Sequence, residues 1–293
     1  MGKTAFAETW VNNVAKVCRD TGDGVVLFFS EEMPSEELLN RRIAGDARVD
    51  SRGASAGAFS GDAFERYMRA ANDVSGLPIL WHDAQRVSML DIAMIARRAQ
   101  HQYGRVALVV VDYLQLLAPM KPDAKDTNRD KDIGLATREG KYLARELMCP
   151  VVLLSQLNRG LETRSDKRPV MSDLRESGNI EQDADMVLFC YRDYVYNKEA
   201  DPRAAELIVG KMRAAATATI PLVFDGPRTR FYDPDDPEAA TFAGTGTTSA
   251  TAPTPDVSAS INFDDPPEDE EGLVPWGKWN PDGVVIARGG DAE

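Results

Sequence analysis

Val106-Ala-Leu-Val-Val-Val-Asp112 (VALVVVD) is six apolar residues closed by a carboxylate. A strand that is apolar at every position, with no alternation, has both faces covered, as a parallel strand between two helical layers does. Four more runs share this character: Gly24–Ser30 (GVVLFFS), Pro150–Ser155 (PVVLLS), Met186–Tyr191 (MVLFCY) and Glu206–Lys211 (ELIVGK). Amphipathic helical patterns fall between them at about 4–18, 35–45, 61–74, 88–103 and 130–148. Ser88 with Asp91 reads as a capping-box start, and Cys149-Pro150 ends the last of these helices before a strand. The alternation predicts an α/β fold with a mostly parallel sheet. Asp225-Gly226, between Thr219–Phe224 and Thr229–Asp233, predicts a hairpin at the sheet edge.

The charge is uneven. Over 293 residues there are 34 Lys+Arg against 47 Asp+Glu, a net of −13. Residues 233–293 carry 14 of the acids and only Lys278 and Arg288, which leaves 32 basic against 33 acidic residues in 1–232. The chain therefore divides at 232 into a near-neutral body and an acidic tail. The tail's Pro, Ala, Thr, Gly and Ser content predicts disorder over 233–275. Its last stretch, Gly272–Arg288, regains Trp276, Trp279 and a few aliphatics. Three cysteines (Cys18, Cys149, Cys190) without a CxxC point to neither a disulfide framework nor a zinc site. With no long apolar run and no signal-peptide pattern, a cytoplasmic protein without membrane contact is expected.

Candidate chemistry lies at strand ends and helix starts, where α/β sheets bind ligands. Gly2-Lys3-Thr4 ahead of an amphipathic helix is the end of the P-loop pattern G-x-x-x-x-G-K-[ST], in which backbone N–H groups cradle phosphates, the lysine reaches them and the hydroxyl meets Mg²⁺. The tripeptide alone has little specificity, and the motifs downstream of it decide its meaning. Asp112 closes its strand as a Walker B acid does. Glu32 follows GVVLFFS as a group to polarise water, with Glu31 its adjacent competitor. Gln156, after the third strand, offers an amide to a γ-phosphate. Asn158–Asn179 gathers Arg159, Arg164, Lys167, Arg168 and Arg175 in one polar, mobile basic loop of an otherwise neutral body.

FFSEEMPSEELLNRRIAG (28–45), VVVDYLQLL (109–117), VVLLSQLNRGLETRSDKRPVMSDLRESGNIEQDADMVLFCYRD (151–193) and LIVGKMR (207–213) resemble successive motifs of the bacterial and phage replicative DNA helicases of the DnaB type. The resemblance covers about 1–232 and implies a RecA-like P-loop ATPase core that hydrolyses ATP with Mg²⁺. By resemblance Gly2, Lys3 and Thr4 belong to Walker A, Asp112 is the Walker B acid sharing Mg²⁺ with Thr4, Glu32 the catalytic glutamate and Gln156 the γ-phosphate sensor. Lys211 and Arg213 match the pair that reaches a neighbouring subunit's nucleotide, Arg213 as arginine finger. DLRESG, with Arg175, Glu176 and Gly178, would line the central channel of a homohexamer and grip single-stranded DNA. Primase and a helicase loader are further partners the family implies, and 5′-to-3′ unwinding its polarity.

The sequence also departs from the family. Ala214-Ala215 replaces the usual Asn-Gly, and Glu31 stands where an apolar residue is common. The family's N-terminal helical domain and linker helix have no counterpart in these residues. The first P-loop glycine and its strand would precede Met1, so residues 1–293 alone are expected to hydrolyse ATP poorly. Two alternatives remain: a catalytically impaired fragment that only binds or caps helicase rings, and a recombinase-type or clock-type RecA-like ATPase.

Overall fold

The computed structural model describes residues 2–83, 86–119, 129–174, 177–240 and 284–286. In chain order they form α1 (Lys3–Thr21), β1 (Val25–Ser30), α2 (Ser35–Ala47), α3 (Ser51–Ser55), α4 (Ala63–Ser75), β2 (Ile79–His82), α5 (Met89–Tyr103), β3 (Val106–Asp112), α6 (Arg129–Leu147), β4 (Val151–Leu153), α7 (Ser177–Asp183), β5 (Met186–Tyr191), β6 (Ala204–Met212), β7 (Thr219–Asp225), β8 (Arg230–Tyr232), α8 (Pro237–Ala240) and β9 (Val284–Ile286). Strands β4, β3, β1 and β2 lie side by side and parallel, with β9 antiparallel on β2.

Both faces of this sheet are covered, as the unbroken apolar runs require. Val25, Leu27 and Phe29 of β1 pack with Met89, Ile92 and Ala96 of α5 and with Ile133 and Leu143 of α6. The alternate residues Val26 and Phe28 pack with Ala7, Val11 and Ala15 of α1. The capping box at α5 forms as expected: Ser88 accepts the Asp91 N–H while the Asp91 carboxylate accepts from Ser88 N–H at 2.8 Å. Strand β2 is not among the expected elements; at four residues, ILWH, it is too short to stand out from the helix before it.

Two expected members of the parallel sheet sit elsewhere. MVLFCY and ELIVGK are β5 and β6, which pair antiparallel and, with β7 and β8, form a second sheet of order β5-β6-β7-β8. Burial alternates along β5 and the first six residues of β6 although their apolar residues run consecutively (MVLFC, LIV), so these runs carry no period-2 signal. The expected hairpin closes through Asp225↔Arg230. This second sheet docks on the start of α1, where Phe6 meets Phe231 edge-on with centroids 5.6 Å apart. The chain stays on the body past the expected boundary at 232: Ala239 is buried, and Arg48 pairs with Glu238 at 2.8 Å. Trp276, Trp279 and the rest of the expected disordered tail beyond 240 lie outside the described residues, apart from β9.

Behind α1 lies a buried polar cluster. Glu8, Asn12 and Arg42 line a cavity of about 20 Å³, and Glu8 Oε1, Asn12 Oδ1 and all three Arg42 nitrogens lack a protein partner there. Burial pushes the Glu8 carboxyl up to about 7, against the lowering pull of the Arg42 charge. A carboxyl raised in the folded state favours folding most when protonated, below its ordinary value near 4.5, and that contribution is lost as pH climbs through about 7. Glu8→Gln is therefore expected to gain stability relative to the parent between pH 5 and pH 8, by up to about 3 kcal/mol. Thermal melts at the two pH values check this; a difference that does not change with pH refutes it.

Candidate active site

The parallel register carries the site. Ser30 of β1 is level with Asp112 of β3, and the Glu31 N–H donates to Asp112 O at 2.8 Å. The loop after β1 thus begins beside the end of β3. Helix α1 starts at the same edge. Its N-cap, Gly2, has φ 103 and ψ 21, the left-handed region that favours glycine. A Cβ at Gly2 would also lie 2.9 Å from Phe231 Cζ. No side chain caps this end and its first turn holds no acid, so the orphan N–H groups and helix dipole face the site as an anion cradle.

Lys3 Nζ lies 2.6 Å from Glu32 Oε2 and 2.7 Å from Asp112 Oδ1, and 4.3 Å above the Tyr113 ring. Thr4 donates its hydroxyl to Asp112 Oδ2 at 2.6 Å. Asp112 is 0% exposed, whereas the Glu32 side chain is 45% exposed. A buried carboxylate at the end of an apolar strand needs such partners, and the lysine and hydroxyl supply them. Glu31 does not share this cluster: its Oε2 accepts the Arg86 N–H at 2.9 Å, and burial raises its pKa despite backbone hydrogen bonds from Arg86 and Val87. Of the two glutamates, only Glu32 contacts Lys3. Thr4 Oγ1 and Asp112 are hard oxygen donors of the kind Mg²⁺ takes together with water and phosphate. Among the described residues no group of three or more His, Cys, Asp and Glu side chains could hold a metal by itself.

Gln156 is exposed just beyond β4, and Gln115, which sequence reasoning passes over, braces it. Gln115 Oε1 accepts the Gln156 N–H at 3.1 Å while its Nε2 donates to Ser155 Oγ at 2.8 Å. Its one sequence signal is the YLQLL after Asp112. Tyr113, under Lys3, is missed in the same way.

Lys211 and Arg213 do not join the cluster within one chain. They gather at the C-terminal end of α7, where Lys211 donates to Glu181 O, Arg213 to Gln182 O at 2.7 Å and Lys141 to Asp183 O at 2.9 Å. Arg213 also lies 3.2 Å from Asp185 Oδ1. Cations at a helix C-terminus satisfy its orphan carbonyls and oppose its dipole.

The basic loop differs from the mobile segment expected. Its base is closed by a Leu157↔Leu174 bridge and an Asn158 N–H to Asp173 O bond of 2.8 Å. Arg164 forks onto the buried Asp173 carboxylate at 3.0 and 2.8 Å, and Lys167 donates to the Glu162 and Arg164 carbonyls. Arg168 pairs with Glu206 at 2.6 Å and lies over Tyr191. Three of the five cations thus brace the loop through acceptors distant in sequence or on the backbone, which charge counting does not reveal. Gly178 is exposed at the start of α7. Arg175, Glu176 and the Arg159 side chain lie outside the described residues.

A helix N-terminus at the end of a parallel sheet, bearing Lys-Thr against a strand-end aspartate, defines a RecA-like P-loop ATPase core. The chain belongs more narrowly to the DnaB-like helicases: the family described as DnaB-like helicase C terminal domain matches residues 1–233. It is 40% identical over 233 residues to the replicative DNA helicase DnaB of Buchnera aphidicola, covering 79% of this chain and 49% of that protein. It is 42% identical over 236 residues to DnaB of Haemophilus influenzae (79% and 48%) and 38% over 225 residues to the replicative DNA helicase DnaC of Bacillus subtilis (76% and 48%). The chain spans about half the length of these relatives. Among solved structures, a DnaB-like replicative helicase described with its interactions with primase matches at TM-score 0.73 and 35% identity, over 80% of this chain and 56% of that one. A solved ATPase domain matches at TM-score 0.72 and 35% identity, over 79% and 80%. No helix among the described residues is long and apolar enough to cross a membrane.

Proposed function

We propose that this chain is the motor domain of a replicative DNA helicase, hydrolysing ATP to move along single-stranded DNA as a homohexameric ring. The observation that carries the reading is Lys3 held between Glu32 and Asp112 at the start of α1. With ATP present, the phosphates sit on the α1 N-terminus and Lys3 turns from the two carboxylates to the β/γ-phosphates. Thr4 and Asp112 would hold Mg²⁺, partly through water, and the bound ion would supply charge neutralisation at the phosphates. Glu32, freed from Lys3, orients the attacking water. Gln156, fixed by Gln115, reads the γ-phosphate. Lys211 and Arg213 leave the end of α7 to reach the nucleotide of the adjacent subunit.

The loop from Asn158 to Asn179 faces DNA in this reading, with Arg159, Arg175, Glu176 and Gly178 assigned to grip the strand and Arg164, Lys167 and Arg168 stiffening the loop. Six copies concentrate positive charge in one channel, which a near-neutral subunit cannot do alone. Primase is a partner suggested by the solved relative described with it, and a helicase loader is one that only the family resemblance suggests. The body over 1–232, with 233–240 packed onto it, is the motor, and the acidic remainder is an appendage.

The test uses rings in which the P-loop is completed ahead of Gly2. Glu32→Gln is expected to lower DNA-stimulated ATP turnover and fork unwinding by about 10²–10⁴-fold with nucleotide affinity retained. Glu31→Gln is expected to change turnover by less than about threefold, because its carboxylate serves Arg86. Equal losses from both variants would refute the assignment, and turnover without unwinding by the parent ring would refute the helicase reading.

A further inference from the structure

Four guanidiniums line the cavity of about 20 Å³ between α1, α2 and the turn from β7 into β8: Arg41, Arg42, Arg228 and Arg230. Three of them have carboxylate partners. Arg41 meets Glu37 at 2.7 Å, Arg228 meets Asp225 at 3.1 Å and Arg230 meets Asp46 at 2.5 Å. Arg42 is the most buried of the four, at 5% exposure, yet its Nε, Nη1 and Nη2 all lack a hydrogen-bond partner. It lies 5.0 Å over the Trp81 ring, and the Glu8 and Asp46 charges act on it only from a distance. Burial lowers its pKa to about 10, which leaves it charged at neutral pH. A buried cation is costly unless it is paired and hydrogen-bonded, and no described side chain does this for Arg42.

Size and charge narrow the choice of partner. The cavity takes one occupant about as large as a water molecule and excludes a phosphate group. A water molecule brings no charge to set against the guanidinium. A monatomic anion of similar size accepts several of its N–H groups and neutralises it. The two other orphan groups suit an anion as well. Asn12 is 2% exposed with Oδ1 unpartnered, and with its amide reversed it presents two N–H donors. Glu8, its carboxyl pushed up to about 7 by burial, presents an O–H in its protonated form. The surroundings are cationic: the four arginines face Glu37, Asp46 and Asp225, and Lys16 also lies 3.6 Å from Asp46.

We propose that this cavity is a binding site for a monatomic anion of the halide class, chloride above all, held by the Arg42 guanidinium with the Asn12 amide and the Glu8 O–H. The site lies between the helix that carries Lys3 and Thr4 and the helix that follows Glu32, with the Arg228–Arg230 turn against both. An occupied site therefore ties α1, α2 and the second sheet together through one ion. It stands apart from the Lys3–Glu32–Asp112 cluster, so its occupancy is read without ATP and does not depend on the proposed function.

The experiment is a series of thermal melts at pH 6, where Glu8 is mostly protonated, with chloride exchanged for gluconate at constant ionic strength. Gluconate is too large for the cavity. Raising chloride from about 5 to about 200 mM is expected to raise Tm by about 3–6 °C, and bromide is expected to do the same. Arg42→Met removes the charge, keeps an unbranched side chain and is expected to abolish the rise. A bromide-soaked crystal of the unaltered protein is expected to show an anomalous peak against the Arg42 guanidinium, a reading that needs no variant. A Tm independent of chloride, an equal rise in Arg42→Met, or a water molecule at that position in the bromide crystal would each overturn the proposal.

Discussion

Arg213→Ala is expected to lower ATP turnover of P-loop-completed rings by about 10³–10⁵-fold, the range of an arginine finger supplied in trans. Within one subunit Arg213 is 49% exposed and rests on Gln182 O and the exposed Asp185 carboxylate, so releasing it costs only about 0–1 kcal/mol. It touches nothing in the Lys3–Glu32–Asp112 cluster of its own chain, so nucleotide affinity of the isolated subunit should change little. Arg213→Lys keeps a cation at the end of α7 but loses the planar fork, and is expected to lower turnover nearly as far. Rings mixed from Arg213→Ala and Lys3→Ala subunits distinguish trans from cis action. They should regain turnover, because an intact Lys3 site then meets an intact Arg213 from its neighbour. Mixed rings as inactive as either variant alone would show that the finger does not act across the interface.

Lys3→Ala is expected to abolish nucleotide binding and also to destabilise the nucleotide-free protein. Asp112 is 0% exposed and keeps only the Thr4 hydroxyl when the ammonium is removed, and Glu32 loses its partner as well. Stranding a buried charge costs about 3–5 kcal/mol when fully enclosed; with Lys3 itself 30% exposed, we expect about 2 kcal/mol. For a domain of this size that is a fall in Tm of about 4–8 °C. Asp112→Asn combined with Lys3→Ala removes the stranded charge and should recover most of the Tm without recovering nucleotide binding. Melting curves and nucleotide titrations of the two variants check both halves. An unchanged Tm in Lys3→Ala would mean that the lysine does not stabilise Asp112.

Much of the site is legible in the sequence because its chemistry falls at element boundaries. Lys3, Thr4, Asp112 and Glu32 each follow or precede an apolar run, and parallel strands bring such ends to one edge. What the letters leave open is side-chain direction. Glu31 and Glu32 are adjacent and chemically alike; only the fold turns one to the Arg86 backbone and the other to Lys3. Gln115 is hidden because its partners, Ser155 and Gln156, are 40 and 41 residues away. The basic loop reads as mobile for a similar reason, since Arg168 finds Glu206 38 residues on.

By itself the sequence determined the layered α/β build, the family and the chemical identity of the strand-end residues, because periodicity, capping and motif spacing are local and survive in one dimension. Only the tertiary structure decided how the sheets divide. MVLFCY and PVVLLS are both short, mostly apolar runs, yet one edges an antiparallel sheet and the other a parallel one, with an apolar groove between them. Strand pairing depends on which backbone edges meet, and no single strand's composition encodes its neighbour.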